Sequence, residues 1–178
     1  MSESNLRNKN KLPITSNILL CLLRQHQIVF KLFKHQPLIS VKDSKSIQSL
    51  IFPSNNYSVH IKNLYLRDKK KNNYLITCEQ DKKIDLKILK EVIKSDHLSF
   101  GSSDRLFHNL GVFPGAVSPF CMLNGIKNNV NFYCDLNLKI YRDIFLHPFE
   151  YDKTIYMNLN DLENFLSKYH IIINWIDL

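Results

Sequence analysis

Glycine, proline and long hydrophobic runs are what this sequence has least of. Four glycines and six prolines in 178 residues are too few for a fibrous or low-complexity chain. Eleven phenylalanines and eight tyrosines within a 44% hydrophobic composition supply the apolar bulk for one sizeable core, and the length leaves no comfortable room for a second. The N-terminal apolar run, Ile18 to Leu23, stops at Arg24 and Gln25. It is too short to span a bilayer or to act as a signal peptide, so a cytoplasmic location is expected. The four cysteines, Cys21, Cys78, Cys121 and Cys134, form no CxxC pair and have no histidine at ligand spacing. They read as reduced thiols, and no metal site or other cofactor is expected.

Acidic residues are scarce in the first part of the chain. Residues 1–71 carry 13 Lys/Arg against Glu3, Asp43 and Asp68, a balance of +10, whereas the whole chain is +8. The remainder is therefore close to neutral. A surface so divided attracts phosphate and releases its counterions, which makes nucleic acid the first partner to consider. A general abundance of Lys and Asn would produce the same count, and charge alone leaves both readings open.

Residues 1–12 are polar and aperiodic and are expected to be a flexible arm, with the fold occupying 13–178. Pro13 and Ser16 open a helix with Ile18, Leu19, Leu22 and Leu23 at helical spacing, followed by a strand at 29–33. A second helix is expected over 41–51. Residues 57–66 alternate as a half-buried strand, 68–73 make a hairpin turn, and 74–78 return as its partner. Asp85 caps a helix, Ser102 and Ser103 precede a short one, and Gly111 is placed to end it before a loop at 112–119. Strands are expected at 130–134, 140–146 and 154–158, then a helix over 160–169 capped by Asn160 and a last strand at 171–176. There is no internal repeat and no interdomain linker.

Two places have chemistry to offer. Lys62 lies in the alternating strand, where Ile61, Leu64 and Leu66 cannot all share its face, and a lysine among strand apolars is costly unless it meets an anion. Its plainer reading is a solvated strand lysine. Gly115, in Gly115-Ala116-Val117-Ser118-Pro119, lets backbone approach a ligand closely enough for N–H groups to stabilise a developing oxyanion. A tight surface turn is the plainer reading there too.

Six pieces, in order, resemble a known family. They are His35-Gln36-Pro37 with Ser40; the run His60–Lys70; Lys83–Lys87; Leu98-Ser99-Phe100 with Arg105-Leu106; Leu110–Phe120; and His147-Pro148 ahead of Asp161–Leu166. Together they resemble the YbaK/ProX group of aminoacyl-tRNA deacylases, related to the editing domain inserted in some prolyl-tRNA synthetases, and within it the free-standing enzymes that remove alanine from proline tRNA. The resemblance implies a single α+β domain with a curved, mixed, largely antiparallel β-sheet flanked by helices. It implies a trans-editing hydrolase without cofactor, which positions water against an already labile ester. Lys62, Gly115 and His147 take catalytic roles by the resemblance, and His35, Ser40, Asn63, Ala116, Val117, Ser118 and Pro119 form the substrate pocket. Arg67, Lys69, Lys70 and Lys71 would steer the acceptor stem of a mischarged tRNA, whose CCA end enters the site, and prolyl-tRNA synthetase is a candidate partner.

The pattern departs at one point. The family's His-Pro is commonly followed three residues on by Asn, where this chain has Tyr151, and this leaves the amino acid open: cysteinyl-, seryl- and threonyl-tRNA stand beside alanyl-tRNA(Pro). A non-catalytic tRNA- or synthetase-binding module with the same fold is the reading from another class.

Overall fold

The computed structural model describes residues 13–37, Lys45, Gln48 and 56–178. The expected arm at 1–12, Ser40, and most of the expected helix over 41–51 lie outside the described residues; Lys45 and Gln48 are both helical.

Helix α1 (Ser16–Gln25) is capped by the side chain of Thr15, one residue earlier than Ser16, and buries Leu19, Leu20 and Leu23. Strand β1 (Phe30–Lys34) follows. The hairpin of β2 (Ser58–Arg67) and β3 (Asn73–Glu79) is the spine of the molecule. In its turn the buried carboxylate of Asp68 accepts from the Asn72 backbone N–H at 2.9 Å, the Asn72 amide at 2.8 Å and the Tyr74 hydroxyl at 2.8 Å. Burial works to raise the Asp68 pKa, and these bonds override it and hold the group below the usual carboxylate range.

Asp85 and Ser102 cap α2 (Leu86–Val92) and α3 (Ser103–Leu110). Between them lies a two-residue strand, β4 (Ser99–Phe100), too short to leave a trace in the sequence. Gly111 ends α3 in the left-handed region, φ 73°, which a side chain would resist. After the 112–118 loop come a 3-10 turn (Pro119–Cys121), α4 (Met122–Gly125), β5 (Val130–Asp135), β6 (Asp143–Leu146), β7 (Lys153–Asn158), α5 (Leu159–Ser167) and β8 (Asn174–Ile176).

Three expected elements are corrected. Helix α5 is capped by Asn158, whose side chain accepts from the Asn160 N–H; Asn160 is inside the helix. Residues Leu136–Ile140 form a 3-10 helix capped by Asp135, so β6 begins only at Asp143. The last strand is confined to Asn174–Ile176, because Tyr169–Ile171 complete the turns that end α5.

The mixed sheet runs β1-β7-β6-β2-β3-β5-β8, with β4 also paired to β2. Four pairings are antiparallel (β1/β7, β6/β7, β2/β3, β2/β4) and three parallel (β2/β6, β3/β5, β5/β8). On one face α1, α3, α4 and α5 bury the main core, which includes Leu75, Phe132, Ile144 and Ile155 of the strands. On the other, α2 covers a smaller cluster of Leu66, Tyr74, Ile76, Leu89, Ile93 and Leu98. Strand β3 is buried on both faces from Tyr74 to Cys78, as a central strand should be. Among the described residues no helix is long and apolar enough to cross a membrane.

One irregularity positions everything that follows. Strand β3 occupies one edge of β2, while β6 (at 58–60) and β4 (at 66–67) share the other. Between them, among the described residues, 61–64 have no strand partner on that edge, and the Tyr65 carbonyl takes the Gly101 N–H at 3.0 Å, so the opening is about 13 Å at the usual strand rise.

Candidate active site at the opening beside β2

Where β2 and β6 part, a cleft of about 30 Å³ is lined by His60, Ile61 and Asn63 of β2, Phe145, Leu146 and His147 of the β6 end, and Thr154 of β7. That volume has room for about one water molecule or a comparably small group.

Asn63 ties the cleft to the loop. Its amide donates to the Val117 carbonyl at 2.9 Å, and its own carbonyl accepts from the Thr77 hydroxyl at 2.7 Å. Thr77, unsignalled by sequence reasoning, thereby fixes which way the Asn63 amide faces. The loop's shape has a local cause as well. Ala116 N–H bonds the Phe113 carbonyl at 3.1 Å, and Gly115 has φ 91°. A turn with Pro114 at its second position and a positive-φ glycine at its third is a type II β-turn, which strongly favours that pair of residues. Ala116, Ser118 and Pro119 are buried. Ser118 begins the 3-10 turn, where its N–H meets Cys121 Sγ at 3.3 Å. Burial pushes the Cys121 thiol up to about 12, so it serves as a small packed group and not as a nucleophile.

The histidines form the other wall. His147 Nδ1 lies 2.7 Å from the Lys153 carbonyl, and His35 Nδ1 lies 2.7 Å from the Gln36 carbonyl. Carbonyls only accept, so each ring carries its proton on Nδ1 and, when neutral, keeps Nε2 as an acceptor. His35 Nε2 takes the Thr154 hydroxyl at 2.8 Å, and the His35 and His147 rings meet edge to face at 6.3 Å. His60 stacks on Phe145 at 4.1 Å. Burial, with the neighbouring His147 adding to it, lowers the His60 pKa to about 4, and burial lowers that of His147 too. Both rings are held neutral near pH 7.

A folded-state pKa below the ordinary 6.5 means the unfolded chain binds more protons. Stability from this group is therefore complete above about pH 6.5 and is lost as the pH falls toward 4. Thermal melts between pH 7 and 4 should show a loss of roughly 3 kcal/mol assignable to His60, and His60→Asn should flatten that part of the curve. Equal slopes in the two proteins would remove the assignment.

Lys62 and Asn63 occupy successive strand positions and so face opposite sides of β2. Asn63 reaches the loop, whereas the Lys62 ammonium donates to the Lys82 carbonyl in the turn after β3. Within the protein its partner is thus a neutral carbonyl. The anion nearby is Asp135, fully buried and paired at 2.8 Å with the Lys82 ammonium. An ammonium has three donors, and the carbonyl takes one. Tyr151 is 42% exposed and does not line the cleft, so its departure from the family pattern leaves the pocket wall intact. Arg67 is half-buried at the end of β2, and Lys69, Lys70 and Lys71 are exposed on the turn, about 15–30 Å along the strand from Lys62. Sequence reasoning also missed His60 and Thr154 as wall residues, since their placement depends on the β2/β6/β7 register.

The sequence profile of the aminoacyl-tRNA editing domain matches residues 44–165. The prolyl-tRNA editing protein ProX of Acetoanaerobium sticklandii is 35% identical over 146 residues, covering 82% of this chain and 86% of that protein. Among solved structures, a proposed trans-editing enzyme for prolyl-tRNA synthetase superposes with TM-score 0.60 at 13% identity, covering 100% of this chain and 99% of that one. The hypothetical protein APE2540 superposes with TM-score 0.66 at 12% identity, covering 89% and 97%. At those identities the two superpositions speak for the fold alone. The profile and the ProX relative decide the family: this chain belongs to the aminoacyl-tRNA editing family and is an aminoacyl-tRNA deacylase.

Proposed function

We propose that the protein acts in trans on mischarged tRNA(Pro), in the cytoplasm, and that alanine is the amino acid it removes. The observation that carries this reading is the narrow cleft beside the Asn63–Val117 link, in a chain 35% identical to a ProX protein. A synthetase pocket that holds proline discriminates against alanine by only about 1–3 kcal/mol, because the difference is a couple of methylenes. A second site that admits only small side chains supplies the missing selectivity.

In this reading the ester carbonyl lies against the 115–117 backbone, where the Gly115 and Val117 N–H groups face the developing oxyanion and the Ala116 N–H closes the turn on Phe113. Asn63 and Thr77 hold that backbone in place. His147, neutral and with Nε2 as acceptor, receives the substrate's amino group, while His35, Thr154 and Ala116 limit the volume. Ser40 belongs to the same wall by family resemblance. Lys62 offers its remaining donors to a phosphate of the CCA end, and the Arg67–Lys71 turn draws in the acceptor stem. Docking to prolyl-tRNA synthetase would deliver the substrate.

Deacylation of a panel of alanyl-, cysteinyl-, seryl- and threonyl-tRNAs tests the assignment. Alanyl-tRNA(Pro) should be hydrolysed fastest, and inactivity toward it overturns the substrate. Tight tRNA binding with no turnover on any member would favour a binding module. Within the same assay Gly115→Ala, which forces a side chain into φ 91°, should cost roughly 1–2 kcal/mol of stability and lower kcat at least tenfold. Unchanged kcat would return Gly115 to the role of a surface turn.

A further inference from the structure

We infer that Phe107 and Phe113 form a stacking shelf for the unpaired 3′ nucleotides of the tRNA, placed between the cleft and the basic turn. This rests on the deacylase reading of the cleft and adds to it the path by which the RNA strand arrives.

The two rings stack on each other at 4.8 Å with 21° between their planes, and both stay in solvent, Phe107 42% and Phe113 59% exposed. Neither belongs to the hydrophobic clusters that hold the fold. Phe113 opens the type II turn that contains Gly115, and Val117, four residues on, is hydrogen-bonded to Asn63 in the cleft. Four residues of chain span at most about 14 Å, so the shelf is within a few nucleotides of the reaction centre.

The charge nearby suits RNA. The segment that bears the rings carries Arg105 against Asp104 and is close to neutral, and the positive charge comes from Arg67 and Lys69–Lys71 of the hairpin and from Lys127 further along the chain. The segment begins at β4, paired with Leu66 and Arg67, and ends at Val117 against Asn63. Its two ends thus sit at either end of the opening in β2, one at the strand end that leads into Lys69–Lys71 and the other at the cleft. An incoming acceptor arm would meet lysines at its duplex and aromatic faces at its single strand, the order in which phosphate contacts and base stacking are useful. Base–aromatic stacking of this kind is indifferent to sequence, as an invariant 3′ end permits.

Fluorescence anisotropy with deacylated tRNA(Pro), intact or lacking its three terminal nucleotides, tests the proposal without requiring turnover. The native protein should bind the intact RNA about tenfold or more tightly than the truncated one, the range expected for one or two stacked bases. The Phe107→Leu/Phe113→Leu double variant, which keeps apolar bulk and so the fold, should lose that preference, and Phe113→Trp should keep it. Replacing Lys69, Lys70 and Lys71 by Ala should weaken binding of both RNAs alike. The shelf is overturned if the double Leu variant retains the native preference, if the preference is absent in the native protein, or if the variant instead loses binding to prolyl-tRNA synthetase with RNA affinity unchanged. Failure of the deacylation panel would remove the catalytic reading and leave this comparison of affinities standing.

Discussion

Lys62→Ala should lower kcat/KM for deacylation roughly 10- to 150-fold while moving Tm by no more than about 4 °C. The two halves of this expectation have separate physical origins. In the folded protein the ammonium makes one bond, to the Lys82 carbonyl. Such a bond contributes about 1 kcal/mol net, which in a chain of this length corresponds to 2–4 °C. Among the described residues nothing else takes its remaining donors, which in the proposed reading meet a phosphate of the CCA end, and losing a hydrogen bond to a charged group costs about 1.5–3 kcal/mol, roughly 10- to 150-fold in kcat/KM. Lys62→Arg keeps the charge but spreads it over a planar fork, and an intermediate rate is expected. A fully active Lys62→Ala would show that the lysine only ties down the turn after β3. An inactive variant that has also lost its thermal transition would say the same.

Phe120→Ala should be the most destabilising single truncation near the site, by about 3–5 kcal/mol, a Tm loss of roughly 6–20 °C. Phe120 is fully buried in the main core and meets Phe165 of α5 edge to face at 5.7 Å. Its neighbours in sequence, Ser118 and Pro119, are the end of the 112–118 loop, so the cavity would open beneath the segment that Asn63 holds. The variant's activity should fall even well below its Tm. A melt within about 3 °C of the native protein would mean that the helices close over the gap.

The two expectations draw on parts of the molecule that were unequally legible in the sequence. The β2/β3 hairpin was readable because the alternation over 57–66, the polar turn after it and the short apolar run at 74–78 are local signals. The caps at Asp85, Ser102 and Gly111 were readable for the same reason. The start of β6 was misplaced, at 140 instead of 143, because apolar Ile140 and Tyr141 adjoin the strand while Leu136–Ile140 form a 3-10 helix. Asp135, accepting from the Asn137 N–H, caps that helix, which buries only Leu138. Asn158 and Asn160 are both fair caps, and which one starts α5 depends on where β7 ends. The candidate site was legible only as a set of residues. The family resemblance supplied Lys62, Asn63, Gly115 and His147, and the alternation of β2 puts Lys62 and Asn63 on opposite faces, but nothing local says which face meets the 112–118 loop. Nor does it say that His60 and Thr154 join the wall: both follow from β6 pairing with β2 in parallel and with β7 antiparallel across long separations.

The opening in β2 has a consequence for how the protein keeps to itself. A strand edge with free N–H and C=O groups invites a strand from another chain, and, among the described residues, 61–64, with apolar Ile61 and Leu64, have no strand on that edge. The 112–118 loop, drawn against it by Asn63, denies that edge to other polypeptides while leaving it reachable by a small ester. A recognition site and a guard against intermolecular strand addition are thus one piece of backbone, which limits how far the loop can be loosened in exchange for a wider choice of substrate.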